Sequence, residues 1–145
     1  MLALEEAQSS GADEALLLDQ DGFVTETSGA NVFLVRDGRL QTPPLSCVLE
    51  GITRETVMTL ATEAGLSVWE QQLTRDDVYA ADEVFLTGTA SELTPVLRVD
   101  GRSIGTGSSG PITQTLHAAY TASVRGRTPD QRWLTHVSGA QAREV

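Results

Sequence analysis

Two Asp-Gly dipeptides, Asp21-Gly22 and Asp37-Gly38, punctuate β-branched runs in the first third of the chain, and runs so punctuated fold as hairpins. Residues 14–19 are apolar, short and strand-like. Residues 23–27 are β-branched and alternating. Ser28-Gly29-Ala30 interrupts, residues 31–35 form the next strand, and residues 39–42 follow the second turn. Pro43-Pro44 closes the set. Beyond it the period changes. Ile52, Val57, Leu60, Ala61 and Ala64 give approximate helical spacing over residues 51–64, and Gly65 falls at the C′ position. Residues 67–73 read as a strand. Thr74 and Asp77 open a helix as N-cap and N3. Residues 83–87 read as a strand, residues 93–99 as extended chain turned by Asp100-Gly101, and residues 111–124 as a last helix. The expected architecture is a mixed α/β domain, antiparallel hairpins with helices around one layered core. It occupies residues 1–137, with residues 138–145 as a polar tail. Residues 2–9 carry good helix formers without a cap before them, as the tail of a larger element would.

The surface this chain presents is acidic. Twenty acidic residues against 10 basic ones give a net charge of −10 over 145 residues. Such a surface repels phosphodiester backbones and anionic lipid, which argues against nucleic-acid and membrane-surface roles. No purely apolar run exceeds four residues, the length of Ala15 to Leu18, which is too short to span a bilayer, and no basic leader precedes it. Cys47 is the lone cysteine, so no internal disulfide and no cysteine cluster for a metal can form. A cytoplasmic protein without a metal site is expected. All ten basic residues are arginine. No lysine side chain is available for a Schiff base.

Several segments carry possible chemistry. Residues 105–110 fit G-x-G-x-x-G, with Asp130 downstream. The preceding residues include Arg98, Asp100, Gly101 and Arg102, which do not make the buried parallel strand that a dinucleotide site needs. A glycine loop before a helix is the better reading. His117 and His136 lack any G-x-S-x-G or H-E-x-x-H partner motif and read as a helix-face and a tail residue. Cys47 has no nearby histidine and reads as a loop thiol. Leu49-Glu50-Gly51-Ile52-Thr53-Arg54 brings a glycine and a hydroxyl to a helix N-terminus, the natural shape of a phosphate site. It is equally the shape of a plain cap with Arg54 solvated. Gly88-Thr89-Ala90-Ser91 follows a strand end, where small residues let backbone amides approach a ligand or simply make a tight turn. Glu26 shares a face with Val24 in a regular strand, and a carboxylate buried there needs a partner.

Taken in order, residues 25–33, 49–54 and 81–96 resemble the fold-type IV pyridoxal-phosphate aminotransferases, and within them the branched-chain amino-acid aminotransferases. Val99-Asp100-Gly101-Arg102, residues 105–113 and Arg132-Trp133-Leu134 add to the likeness, which runs over residues 2–137. The resemblance implies the large C-terminal domain of such an enzyme. It implies pyridoxal 5'-phosphate held by Glu26, Leu49, Gly51, Ile52, Thr53, Gly88 and Thr89. Gly29, Thr89 and Ala90 would meet the substrate. Glu26 matches the carboxylate beside the pyridine nitrogen, Gly51, Ile52 and Thr53 the phosphate cradle, and Ala90 a backbone donor for the substrate carboxylate. The implied reaction moves the amino group of leucine, isoleucine or valine to 2-oxoglutarate, as in branched-chain amino-acid biosynthesis. The partners are therefore an amino acid and a 2-oxo acid, in a homo-oligomer of at least two copies.

The family's Schiff-base lysine and small N-terminal domain match nothing in these residues, so this chain alone is expected to be inactive. Glu50 stands where these enzymes usually have proline, and Ala30 where glutamate is common. A D-amino-acid transaminase or aminodeoxychorismate lyase of the same fold, and a non-catalytic phosphate- or partner-binding module, are the alternatives.

Overall fold

The computed structural model describes residues 2–130 and 132–134. His136 and the expected boundary and tail at 137–145 lie outside the described residues. In chain order the elements are α1 (Leu2–Ser9), β1 (Leu16–Leu18), β2 (Val24–Thr27), β3 (Asn31–Arg36), β4 (Arg39–Thr42), α2 (Ile52–Glu63), β5 (Val68–Glu70), α3 (Arg75–Tyr79), β6 (Glu83–Gly88), β7 (Glu92–Val96), β8 (Arg98–Val99), β9 (Arg102–Ser103) and α4 (Pro111–Val124). The hairpin signals become antiparallel pairs, β1 with β2, β2 with β3 and β3 with β4.

β3 is the centre of the main sheet. β6 pairs along it antiparallel from Asn31 opposite Thr87 to Val35 opposite Glu83, and β7 continues beyond β6. The other edge of β3 is shared, by β2 at Asn31 and by β4 from Leu34 onward. After α2 the chain returns as β5, parallel to β4. β5 ends at Glu70, earlier than the sequence suggests. Leu73 instead crosses to Val24, whose backbone N–H donates to the Leu73 carbonyl at 2.7 Å.

Both faces of β3 are covered, which is why residues 31–35 are all buried. Phe33 and Val35 point to the face packed by α2 and α4, with Val57, Ala61, Leu116 and Tyr120. There Phe33 and Phe85 stack at 5.1 Å between ring centroids. Val32 and Leu34 point the other way, to Val24, Leu73, Val78, Ala81 and Ile104.

β2 departs from the regular strand expected of it. Leu16 pairs with Thr27 but Leu18 pairs with Val24, so three steps on β2 face two on β1. The extra residue is a bulge, and a bulge turns the side chains beyond it to the opposite face. Val24 joins the core with Val32 and Leu34, whereas Glu26 lies opposite Asn31 and shares the face of Phe33. The expectation that Glu26 and Val24 share a face is thereby corrected.

The glycine loop at 105–110 follows the two-stranded ribbon of β8 and β9 rather than a parallel strand. It leads into α4, whose first turn is held from across the fold. The Glu83 carboxylate accepts from Ile112 N at 3.1 Å and Thr113 N at 2.7 Å. Among the described residues no helix is long and apolar enough to cross a membrane.

Candidate functional site

α2 begins without a side-chain cap. Gly51 is its N-cap, at φ −84° and ψ 129°, and the first intrahelical bond runs from Glu55 N to the Gly51 carbonyl. The amides of Ile52, Thr53 and Arg54 therefore have no partner within the helix, and the positive end of its dipole is open. That end abuts a cleft of about 150 Å3. Its walls are the 26–31 segment, the 49–53 segment and the 87–89 segment. The structure thus brings Glu26, Gly29, Leu49, Gly51, Ile52, Thr53, Gly88 and Thr89 to one cleft, and leaves Ala90 exposed just outside its lining.

The carboxylate wall is built by hydrogen bonds. Glu26 Oε2 accepts from Leu49 N at 3.0 Å and from Asn31 Nδ2 at 3.4 Å. Among the described residues Oε1 accepts nothing. The same Asn31 amide donates to the Leu49 carbonyl at 3.0 Å. Opposite Asn31 on β6 lies Thr87, 1% exposed, whose buried hydroxyl has no hydrogen-bond partner among the described residues. Glu26, Asn31 and Thr87 form one polar row across three strands.

Sequence reasoning missed Asn31 and Thr87. Strand register is the signal that finds them, and register depends on the fold rather than on local sequence. A Cβ on Gly51 would overlap Asn31 Oδ1, and one on Gly88 would crowd Ser91 Oγ and the Gly29 carbonyl. These two glycines are set by close approach.

Arg54 is not solvated. It is 3% exposed, donating to the Pro43 carbonyl at 3.0 Å and pairing with Glu70 at 2.7 Å. The guanidinium so ties the 43–50 loop to β5 and α2. Cys47 lies half-buried in that loop, its Sγ 3.2 Å from the Pro44 carbonyl. Burial first, then the Asp19 and Glu26 carboxylates, push its thiol up, away from the reactive thiolate.

A larger open groove of about 690 Å3 runs along α2, lined by Leu45, Met58 and Val68 with Glu50, Glu55, Glu63 and Glu70. It carries carboxylates where an anion cradle needs donors. His117 is exposed on α4 and lines neither depression.

The family model for amino-transferase class IV matches residues 1–99. The branched-chain-amino-acid aminotransferase of Pseudomonas aeruginosa is 54% identical over 138 residues, which is 94% of this chain and 45% of that protein. The Escherichia coli K12 enzyme of the same name is 44% identical over 140 residues, 95% of this chain and 45% of its own length. The T.th. branched-chain amino acid aminotransferase, solved with N-(5'-phosphopyridoxyl)-L-glutamate, superposes with a TM-score of 0.92 at 50% identity. The match covers 94% of this chain and 47% of that one. The same T.th. enzyme has also been solved with pyridoxamine 5'-phosphate and with 4-methylvaleric acid. The chain spans about half the length of the relatives it matches. On the match to its own residues and on the fold they adopt, the chain belongs to the class IV aminotransferases.

Proposed function

We propose that this chain is the cofactor-binding large domain of a branched-chain amino-acid aminotransferase, and that its cleft holds pyridoxal 5'-phosphate. The observation that carries the reading is the combination in one cleft of an uncapped helix N-terminus, an orphaned buried hydroxyl and a carboxylate with one free oxygen. The amide and hydroxyl donors fit a phosphate at one end, and the accepting carboxylate of Glu26 fits a protonated ring nitrogen at the other. Bound there, the cofactor supplies an electron-withdrawing ring that stabilises negative charge at the substrate Cα.

The chain's own residues do the rest of the work assigned to it. The Ile52 and Thr53 amides, with the Thr53 and Thr89 hydroxyls, bind the phosphate. Gly51 and Gly88 let those segments come close enough. Glu26 Oε1 holds the proton at the ring nitrogen, and so keeps the ring electron-poor through the reaction. Leu49 positions that carboxylate through its amide. Gly29 lines the substrate side, and the amide of Ala90 binds the substrate carboxylate. No side chain here supplies the amine that the family uses at Cα, so that group comes from outside these residues. The substrates are leucine, isoleucine or valine and 2-oxoglutarate, and the enzyme is a cytoplasmic oligomer of at least two copies. Support for the side-chain preference comes from relatives named for branched-chain substrates, one of them solved with 4-methylvaleric acid.

The test has two parts. Calorimetry on the 145-residue chain should show pyridoxamine 5'-phosphate binding, inorganic phosphate competing, and dephosphorylated pyridoxamine binding at least tenfold more weakly (about one phosphate hydrogen-bond set). Joined to the lysine-bearing half of the Pseudomonas aeruginosa relative, the chain should form glutamate from leucine and 2-oxoglutarate but not from D-alanine. In that hybrid Glu26→Ala should cut turnover far more than cofactor affinity, because the carboxylate acts on charge that develops at the transition state. A chain indifferent to the phosphate, joined in a folded but inactive hybrid, would retire the reading.

A further inference from the structure

Asn31 lies on the floor of the cleft and is assigned no part in the proposal above. Its amide faces two acceptors, the Glu26 carboxylate and the Leu49 carbonyl. That fixes its orientation, since the oxygen turned toward them would meet lone pairs on both sides. Both Nδ2 hydrogens are therefore committed. One crosses from β3 to the carboxylate on β2, and the other crosses to the loop that opens α2. Leu49 completes the circuit, because its N–H donates to the same Glu26 Oε2 that Asn31 reaches. The Asn31 oxygen occupies the space where a Cβ on Gly51 would stand. Gly51 has an extended backbone that any residue adopts, so the demand for glycine there comes from the Asn31 amide and not from φ.

We infer that Asn31 is a positioning residue: its amide fixes Glu26 Oε2 and the 49–51 backbone together, which leaves Oε1 aimed into the cleft at a set distance from the α2 N-terminus. The inference rests on the proposed cofactor reading, because Oε1 then faces a ring nitrogen whose phosphate lies at that N-terminus. The bulge in β2 gives the device its purpose. It turns Glu26 onto the Asn31 face but ends the regular ladder beside it, so an added strut is needed to hold the carboxylate.

Two probes separate this inference from the reading beneath it: pyridoxamine 5'-phosphate, and its 1-deaza analogue, in which carbon replaces the ring nitrogen. The wild-type chain is expected to prefer the former. Asn31→Asp keeps the shape and puts an acceptor against two acceptors, and Asn31→Ala removes the amide. Both are expected to lose that preference by about tenfold, the scale of one charge-assisted hydrogen bond, while inorganic phosphate still competes for α2. In ligand-free protein, hydrogen exchange at the Leu49 amide should quicken in both variants, since its bond to Glu26 is what the strut holds. Circular dichroism identifies a variant that has not folded, and the folded one then decides. Folded variants that keep both the wild-type preference and a protected Leu49 amide overturn the inference and leave the cofactor reading intact. A wild-type chain without any preference overturns the cofactor reading, and the strut with it.

Discussion

At the scale of single residues, the glycines around the cleft differ for reasons the structure makes explicit. Gly51 sits against Asn31 Oδ1, whereas a Cβ on Gly29 would meet nothing within 4 Å. Neither has a left-handed φ, so both tolerate alanine as far as backbone is concerned. Gly51→Ala is therefore expected to cost about 1–3 kcal/mol through steric overlap. Gly29→Ala should stay within about 0.5 kcal/mol of wild type. Urea unfolding of the two variants side by side checks this, and equal stabilities would show that Asn31 yields without cost. Glu26, Gly51, Thr53, Gly88 and Thr89 are singled out in the sequence through the family resemblance, each within a short contiguous motif, and the structure brings them to one cleft. Asn31 and Thr87 are not singled out, because their place beside Glu26 depends on strand register. Local sequence also leaves Arg54 solvated, and the structure buries it. Its burial depends on Glu70 and Pro43, which lie on other segments.

Among the elements, the helix starts divide in the same way between local and distant causes. Thr74 and Asp77 cap α3 reciprocally: Asp77 N donates to Thr74 Oγ1 at 3.2 Å, and Thr74 N donates to Asp77 Oδ2 at 2.8 Å. The two residues lie three apart, so sequence alone reveals the motif. The cap on α4 comes from Glu83, on the far side of an intervening ribbon, and only its Pro111 is visible in the sequence. The Thr74 hydroxyl and backbone bonds, and then Arg36, hold the Asp77 carboxyl below its ordinary value of 3.8. A carboxylate depressed in the folded state stabilises above the unfolded value and loses that contribution as pH falls through the folded one. Thr74→Ala should thus destabilise by about 1 kcal/mol at neutral pH. The gap from wild type should narrow as the pH falls below the unfolded value and through the lower folded one, where Asp77 protonates, while the share owed to the Asp77 N–H bond to the Thr74 hydroxyl remains. Denaturant midpoints across that range measure it, and a gap that widens in acid would contradict the capping account.

Over the whole molecule, the sequence reveals a mixed α/β domain and nearly every element, but not the parallel return of β5 or the three-way pairing of β3. Those depend on how α2 and α4 cover one face, a long-range packing outcome. The same packing leaves a patch open. Leu45, Leu49 and Ile52 are 44%, 75% and 79% exposed within one short stretch that runs into α2; Leu49 and Ile52 wall the cleft, and Leu45 lines the larger groove along α2. Clustered exposed apolar side chains seek a partner surface. Opposing that is the net charge of −10, which keeps copies apart at long range. The two effects respond differently to salt. Screening shortens the reach of the charge from about 30 Å at 0.01 M to about 3 Å at 1 M, and leaves apolar contact intact. The isolated chain should therefore self-associate more as salt rises, the reverse of an association held by ion pairs. Sedimentation velocity across that range should show the weight-average mass climbing. The double change Leu45→Gln and Leu49→Gln should flatten the climb, because it removes side chains from the patch while leaving the Leu49 backbone bonds to Glu26 and Asn31 in place. A monomer at every salt concentration would mean that these side chains fold back on the chain's own surface, and that the 45–52 stretch needs no covering partner.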